Sequence, residues 1–438
     1  MSPIEIGLIS VVAIVALIYL GVYIPVALGM VSLISVWVIR DNPQLAMNLL
    51  KSAVASGVRE YTYATIPLFT FMGLIVSKAG LGKDVYVVMN SLFRRVRGDV
   101  GMATVGANAL FAAVTGSSIA SASVFTKVAV PEMLELGYTA RFAVGVVGGS
   151  SVLGMIIPPS AMLIIYALVV EQSVGDMFLA GIVPGIMLTF AYIFAIMFMC
   201  RFTPNFVGGN ARGQKLAQAS VAVEGRHVLG CLGIGALVAV VLGGIYTGKL
   251  TPIESGAAGA TLALMIALAR RSMSAKGFWN ALLETGHITA SILFLITAAA
   301  LYQRMLGIAA LPDAISEILR SYNLGFVAIM VIYVLMMLFL GTILDTASII
   351  LIVVPLFLPI VEPMGIDLVW FGIITVVGAE IGLLTPPLGI SCFVIKSTLN
   401  RPDIALKDVF MGALPFAGVM LLVLILLIMF PALSIGIL

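Results

Sequence analysis

The chain has 438 residues, of which 61% are hydrophobic and only 10% charged, with a formal net charge of +3. Soluble domains run at roughly 45–50% apolar and about 25% charged, so a soluble enzyme, a nucleic-acid binder and a secreted disulfide scaffold are all excluded. What remains is an all-α polytopic membrane protein, because a spanning helix needs about 20 mostly apolar residues and this length holds many. Cys200, Cys231 and Cys392 lie in apolar stretches without CxxC spacing, and His227 and His287 form no metal-binding pair, so both histidines read as interfacial. The first residues, MSPIEIGLIS, lack a basic n-region, which predicts a first membrane segment that is retained.

In chain order, apolar stretches run over 4–22, 24–39, 62–77, 101–115, 119–134, 142–170, 176–200, 228–246, 254–269, 285–303, 325–341, 346–361, 368–396 and 408–436. Lys78, Lys83, Arg94, Arg95 and Arg97 form one basic cluster between them, and Arg201, Arg212, Lys215 and Arg226 a second. Arg270, Arg271 and Lys276 make a third, and Lys396, Arg401 and Lys407 a fourth. The turns at 171–176 and 362–367 carry acids and no Lys or Arg. The positive-inside rule puts the four clusters in the cytoplasm and both acidic turns outside. Arg40, Lys51 and Arg59 then count as outside, against the rule. Segments 101–115 and 119–134 begin and end beside basic residues, which predicts a re-entrant hairpin over 101–135. A second hairpin, over 325–361, returns to the outside.

The two hairpin tips align. Gly116, Ser117, Ser121, Ala122 and Ser123 match Gly341, Thr342, Thr346, Ala347 and Ser348, 225 residues on. Gly154-Met155-Ile156-Ile157-Pro158-Pro159-Ser160 likewise matches Gly382-Leu383-Leu384-Thr385-Pro386-Pro387-Leu388, 228 residues on. Successive prolines remove backbone donors, so broken helices are predicted over 142–170 and 368–396. Hairpins entering from opposite sides predict two inverted-topology repeats, as in secondary transporters.

Broken backbone at membrane depth must be buried or line a polar cavity. Its free carbonyls, with tip hydroxyls and carboxylates, suit a small cation, while half-helix N-termini suit an anion. The expected ligands of a first sodium site are Ser117, Ser118, Ser121, Gly154, Ile157 and Pro159; those of a second are Thr342, Asp345, Thr346, Gly382, Thr385 and Pro387. Arg304, inside an apolar run, is the candidate for a substrate carboxylate, with Asp345, Ser121, Ser123 and Ser160 around it. The alternative for Arg304 is an ion pair with Asp345 or Glu380. Lys127 is expected to snorkel or to pair with Glu132. HExxH, GxGD and intramembrane Ser/His pairs are absent from the sequence, so no enzyme is expected.

These residues resemble the large membrane subunit of TRAP transporters, the tripartite ATP-independent periplasmic family within the wider ion-transporter group. The resemblance rests on Ile66-Pro67-Leu68-Phe69, the two tips, the two Pro-Pro segments, and Tyr246-Thr247-Gly248-Lys249-Leu250-Thr251-Pro252-Ile253-Glu254-Ser255. The Ser-Asn-Thr tip signature of the wider group is missing, since neither tip holds an Asn. The resemblance implies a bacterial or archaeal inner-membrane subunit working with a small membrane (Q-type) subunit and a periplasmic (P-type) substrate-binding protein. It implies import of an organic acid (C4-dicarboxylate, sialic acid or sugar acid) driven by two or more sodium ions through an elevator movement. The chain looks like the large subunit alone. Scaffold helices are expected over 1–60 and 227–280, transport-domain halves over 61–200 and 281–400, a cytoplasmic connection over 201–226 and a last transmembrane helix over 401–438. A self-sufficient sodium/dicarboxylate symporter, or a sodium-driven anion transporter, is the alternative.

Overall fold

Ten of the described helices start at a Ser, Thr, Asn or Asp whose side chain caps the first turn. In the computed structural model, which describes residues 1–208, 223–322, 324–387 and 389–438, Ser2 and Glu5 close a capping box around the first turn of α1 (Pro3–Tyr19). A tight turn leads to α2 (Ile24–Arg40), and then to α3 (Pro43–Arg59), capped by Asn42. After a short turn at Tyr61–Ala64, α4 (Thr65–Lys78) and α5 (Leu81–Phe93) follow with a 64° bend between them. The first hairpin is α6 (Asp99–Thr115) with α7 (Ser118–Glu135). Next come α8 (Ala140–Ser151), α9 (Leu153–Ile156) and α10 (Ala161–Val169), bent by 42° at the Pro-Pro step, and then α11 (Val174–Phe202) and α12 (Pro204–Val207).

The second part repeats the same kinds of element. It runs α13 (Gly225–Tyr246), α14 (Pro252–Ala269), α15 (Ala275–Ala309), α16 (Leu311–Ser321), the hairpin α17 (Phe326–Gly341) with α18 (Thr346–Val361), α19 (Leu368–Gly382), α20 (Ile390–Leu399), α21 (Leu406–Met429) and α22 (Ala432–Ile435). Among the described residues, six helices are long and apolar enough to cross a membrane, or up to eight if each bent pair counts as one span. Both Pro-Pro peptide bonds, Pro158-Pro159 and Pro386-Pro387, are cis.

The Thr-Pro-x-Glu sequence noted above is a helix start. Thr251 caps α14, Pro252 takes the first helical position, and Glu254 reaches back 2.8 Å to the Thr251 N–H. The helix so begun packs on α4, and α15 packs on α2. At about 1.5 Å per residue the 35-residue α15 is about 52 Å long, well beyond a hydrocarbon core of about 30 Å. The crossing of α8 and α21 is close because Gly145 and Gly412 face each other; a Cβ on Gly145 would lie 2.2 Å from the Gly412 carbonyl oxygen. Phe190, Phe194 and Phe198 stand exposed one turn apart on α11, as expected of a face turned to lipid.

Three polar elements were not anticipated by the apolar stretches: α3, α5 and α16. A buried charge cluster secures α5. Asp84 accepts a hydrogen bond from the Arg270 guanidinium and lies 4.0 Å from His227 Nε2. His227, in the first turn of α13, is buried within the protein, and its Nδ1 accepts the Glu224 N–H at 3.1 Å. His287 is exposed as expected. Arg212 and Lys215, and most of the expected connection at 201–226, lie outside the described residues.

Candidate functional site

The first hairpin tip and the first broken helix meet backbone to backbone. Gly116, at φ +57°, ends α6 because a left-handed residue is needed there, and a Cβ on it would lie 2.6 Å from the Pro159 carbonyl oxygen. Its own carbonyl accepts the Ala161 N–H at 3.4 Å. A Cβ on Gly154 would lie 2.8 Å from the Ser117 carbonyl carbon. Ser117 caps α7 by accepting the Ala120 N–H at 3.3 Å, while Ser118 and Ser121 are buried. The Ser121 hydroxyl has no hydrogen-bond partner among the described residues. Ser160 caps α10 and its hydroxyl donates to the Met155 carbonyl at 2.5 Å, closing the break. Ile157 packs on α11, where Gly185 leaves room for its side chain.

The second tip and second broken helix meet in the same way. A Cβ on Gly382 would lie 2.4 Å from Gly341 Cα, so neither glycine tolerates a side chain without separating the two backbones. Thr342 donates to the Phe339 carbonyl at 2.8 Å and Thr385 to the Gly382 carbonyl at 2.9 Å. Asp345 caps α18; its carboxylate accepts the Ser348 N–H at 3.3 Å and the Ser348 hydroxyl. Pro387 is exposed, and Leu388 lies outside the described residues.

Glu380 is the residue that the ligand reading passed over. It is fully buried on α19, and its Oε1 accepts the Thr346 hydroxyl at 2.6 Å. Its Oε2 has no partner among the described residues. A buried polar atom without a partner costs about 1–3 kcal/mol, more when charged, so an ion or water is expected there. The signal was visible: an acid inside an apolar stretch, two residues before the second break.

Beyond each tip, one polar contact ties the hairpin to the helix that breaks. Asn108 donates to the Ser150 hydroxyl at 2.6 Å, and Ser150 donates to the Val146 carbonyl at 2.7 Å. The Tyr333 hydroxyl meets Thr375 Oγ1 at 2.6 Å, and Thr375 donates to the Phe371 carbonyl at 2.7 Å. Each residue of the second chain of contacts stands 225 positions after its counterpart in the first.

The residues expected around the substrate do not share one cavity. Ser123, with Gly116, Ser117 and Pro159, lines a cavity of about 430 Å³ between the first tip, α4 and α15. Glu284 on α15 also lines it, and pairs with Lys78 at 2.8 Å. Arg304 lines a separate cavity of about 960 Å³. Among the described residues Arg304 forms no ion pair with Asp345 or Glu380. Lys127 is exposed, and Glu132 takes its hydrogen bond from Asn90 at 2.7 Å rather than from Lys127.

A membrane protein of helical hairpins and broken helices has the build of a transporter, and comparison with known proteins gives the class directly. The solved YdaH transporter of Alcanivorax borkumensis is similar in fold, with a TM-score of 0.62 at 16% identity over 90% of each chain. The family described as tripartite ATP-independent periplasmic transporter, DctM component, matches residues 11–433, and the chain belongs to that family. The C4-dicarboxylate TRAP transporter large permease protein of Pseudomonas aeruginosa is 33% identical over 379 residues, 86% of either chain. The sialic acid TRAP transporter large permease protein of Vibrio cholerae is 26% identical, covering 93% of both. The chain is thus a TRAP large permease, a multi-pass protein of the bacterial inner membrane.

Proposed function

We propose that this permease imports an organic acid together with sodium ions, receiving the acid from a periplasmic binding protein and working beside a small membrane subunit. The observation that carries the reading is the pair of tip-to-break junctions, at Gly116/Gly154 and Gly341/Gly382, each closed by backbone contact. Such junctions put hydroxyls, carbonyls and half-helix ends into one small space, which is what a dehydrated sodium ion requires. The first site is assigned to Ser117, Ser118, Ser121, Gly154, Ile157 and Pro159. The second is assigned to Thr342, Asp345, Thr346, Gly382, Thr385 and Pro387, with Glu380 added to it.

Two inverted repeats are supported by the matched polar contacts, Asn108–Ser150 and Tyr333–Thr375. The elevator movement would carry both hairpins and both broken helices past a scaffold of α1, α2, α3, α13 and α14. The cavity at the first tip, with Ser123 on its wall, is the place assigned to the acid next to the ions. C4-dicarboxylate and sialic acid, named for the relatives, are the first substrates to try.

The test is uptake into proteoliposomes holding the large and small subunits, with and without sodium and the binding protein. Concentrative uptake is expected only with both. Accumulation of free substrate by the large subunit alone would overturn the tripartite reading in favour of a self-sufficient symporter.

A further inference from the structure

The largest cavity described above lies away from both tips, and nothing in the junctions accounts for it. It is walled by α3, the Tyr61–Ala64 turn, the far end of α15 and the α18 arm, and by the connections around Glu171 and Thr251. The Glu171 turn is one of those that the charge rule puts outside the cell, and the chain leaves a cytoplasmic cluster at Arg226 to cross and reach Thr251. Arg304 lies near the end of α15 remote from the basic cluster at Arg270 and Arg271. At about 1.5 Å per residue it stands about 44 Å along the helix axis from Ala275. Arg304 is therefore at the outer face.

Three features mark this cavity as a receiving site. Arg304 lines it and forms no ion pair among the described residues, and Gln303 and Thr65 line the same space. A guanidinium in a partly enclosed space pairs with a carboxylate through two parallel hydrogen bonds. Two acids, Glu60 and Glu171, share the wall. Glu60 already accepts the Thr62 N–H at 3.2 Å and the Thr62 hydroxyl at 2.6 Å. Carboxylates there repel a bare dianion but accept hydrogen bonds from hydroxyl or amino groups on the same ligand.

We propose that this outer cavity is a separate receiving site for the transported acid, with Arg304 holding its carboxylate and Glu60 and Glu171 accepting from its hydroxyl or amino donors. The proposal rests on the importer reading only in taking an organic acid as the cargo. It does not depend on sodium. The ligand favoured is a hydroxylated or amino-bearing monoacid over a plain dicarboxylate.

The experiment places a reporter at the wall of the cavity in the full chain, assembled with its small subunit. In a Gln303→Cys chain whose native cysteines are replaced, the rate of labelling by a membrane-impermeant thiol reagent is measured from the outside. The probes are N-acetylneuraminate, succinate and, as a neutral control, glucose. Labelling from outside is expected, slowed several-fold by N-acetylneuraminate at a lower concentration than succinate needs. Glucose should leave the rate unchanged, and sodium should make no difference to the protection. Adding Arg304→Gln should remove protection, and Arg304→Lys should keep part of it, which a merely structural arginine would not do. No labelling from outside, no protection by either acid, or equal protection with Arg304→Gln would overturn the site. Stronger protection by succinate would overturn the role given to Glu60 and Glu171. Protection that persists where uptake shows no sodium dependence would sink the coupling reading and leave the receiving site standing.

Discussion

The two tip-to-break junctions share a backbone plan and differ in charge. In the first, the buried hydroxyl of Ser121 finds no partner among the described residues. In the second, the matching Thr346 donates to Glu380, and the position 225 residues before Glu380 is Met155. The first junction therefore offers neutral oxygens, whereas the second offers a buried carboxyl group, one oxygen of which has no partner among the described residues. Asp345 adds a second acid where the first tip has Ala120. If the junctions hold sodium as proposed, equal geometry with unequal acid content makes the second site the tighter and the more dependent on individual side chains.

Substitutions at the two junctions test that contrast. The largest effect is expected from Gly382→Ala, because the new Cβ would collide with Gly341 backbone rather than with a movable side chain. Uptake should be lost and the melting temperature lowered by several degrees. Gly154→Ala meets the Ser117 backbone at 2.8 Å, a slightly longer approach, and should be the milder of the two.

Glu380→Gln comes next. Hydrogen bonds and contacts to a charged group are worth about 1.5–3 kcal/mol, so apparent sodium affinity should fall roughly 10–150-fold. The dependence of uptake rate on sodium concentration measures this, and an unchanged midpoint would remove Glu380 from the site. Asp345→Ala should weaken sodium dependence while the complex still assembles, since the lost α18 cap costs only about 1 kcal/mol of stability. The smallest effect is expected from Ser121→Ala. Loss of one neutral ligand is worth about 0.5–1.5 kcal/mol, roughly a 2–12-fold change in sodium affinity. A larger effect at Ser121 than at Glu380 would reverse the ranking of the two sites.

Much of this plan was legible in the sequence because membrane helices are written in runs of apolar residues and broken ones in prolines. The hairpins expected over 101–135 and 325–361 lie within a residue or two of α6 with α7 and α17 with α18. The break at Pro158-Pro159 separates α9 from α10, as two missing donors require. Polar helices were harder. In α16 apolar and charged residues alternate around the helix, the apolar run of α5 is only Val85–Met89, and α5 owes part of its place to Asp84 meeting Arg270 and His227 across other elements. The candidate site was legible in its backbone and less so in its charges. Glycine and proline spacing located both junctions, but only packing shows that Thr346 points at Glu380 and that Arg304 faces a different cavity from Ser123. Contacts between residues 34 apart on separate helices leave no local pattern to read.

On the proposed reading the two junctions hold the ions that drive uptake, the second more tightly through Glu380. Its most direct test is the initial rate of uptake by the assembled complex across a sodium titration, for the natural chain and for Glu380→Gln. A sigmoidal sodium curve is expected for the natural chain, and a shallower curve displaced to higher sodium for the variant. Uptake that is indifferent to sodium, or two superimposable curves, would contradict it.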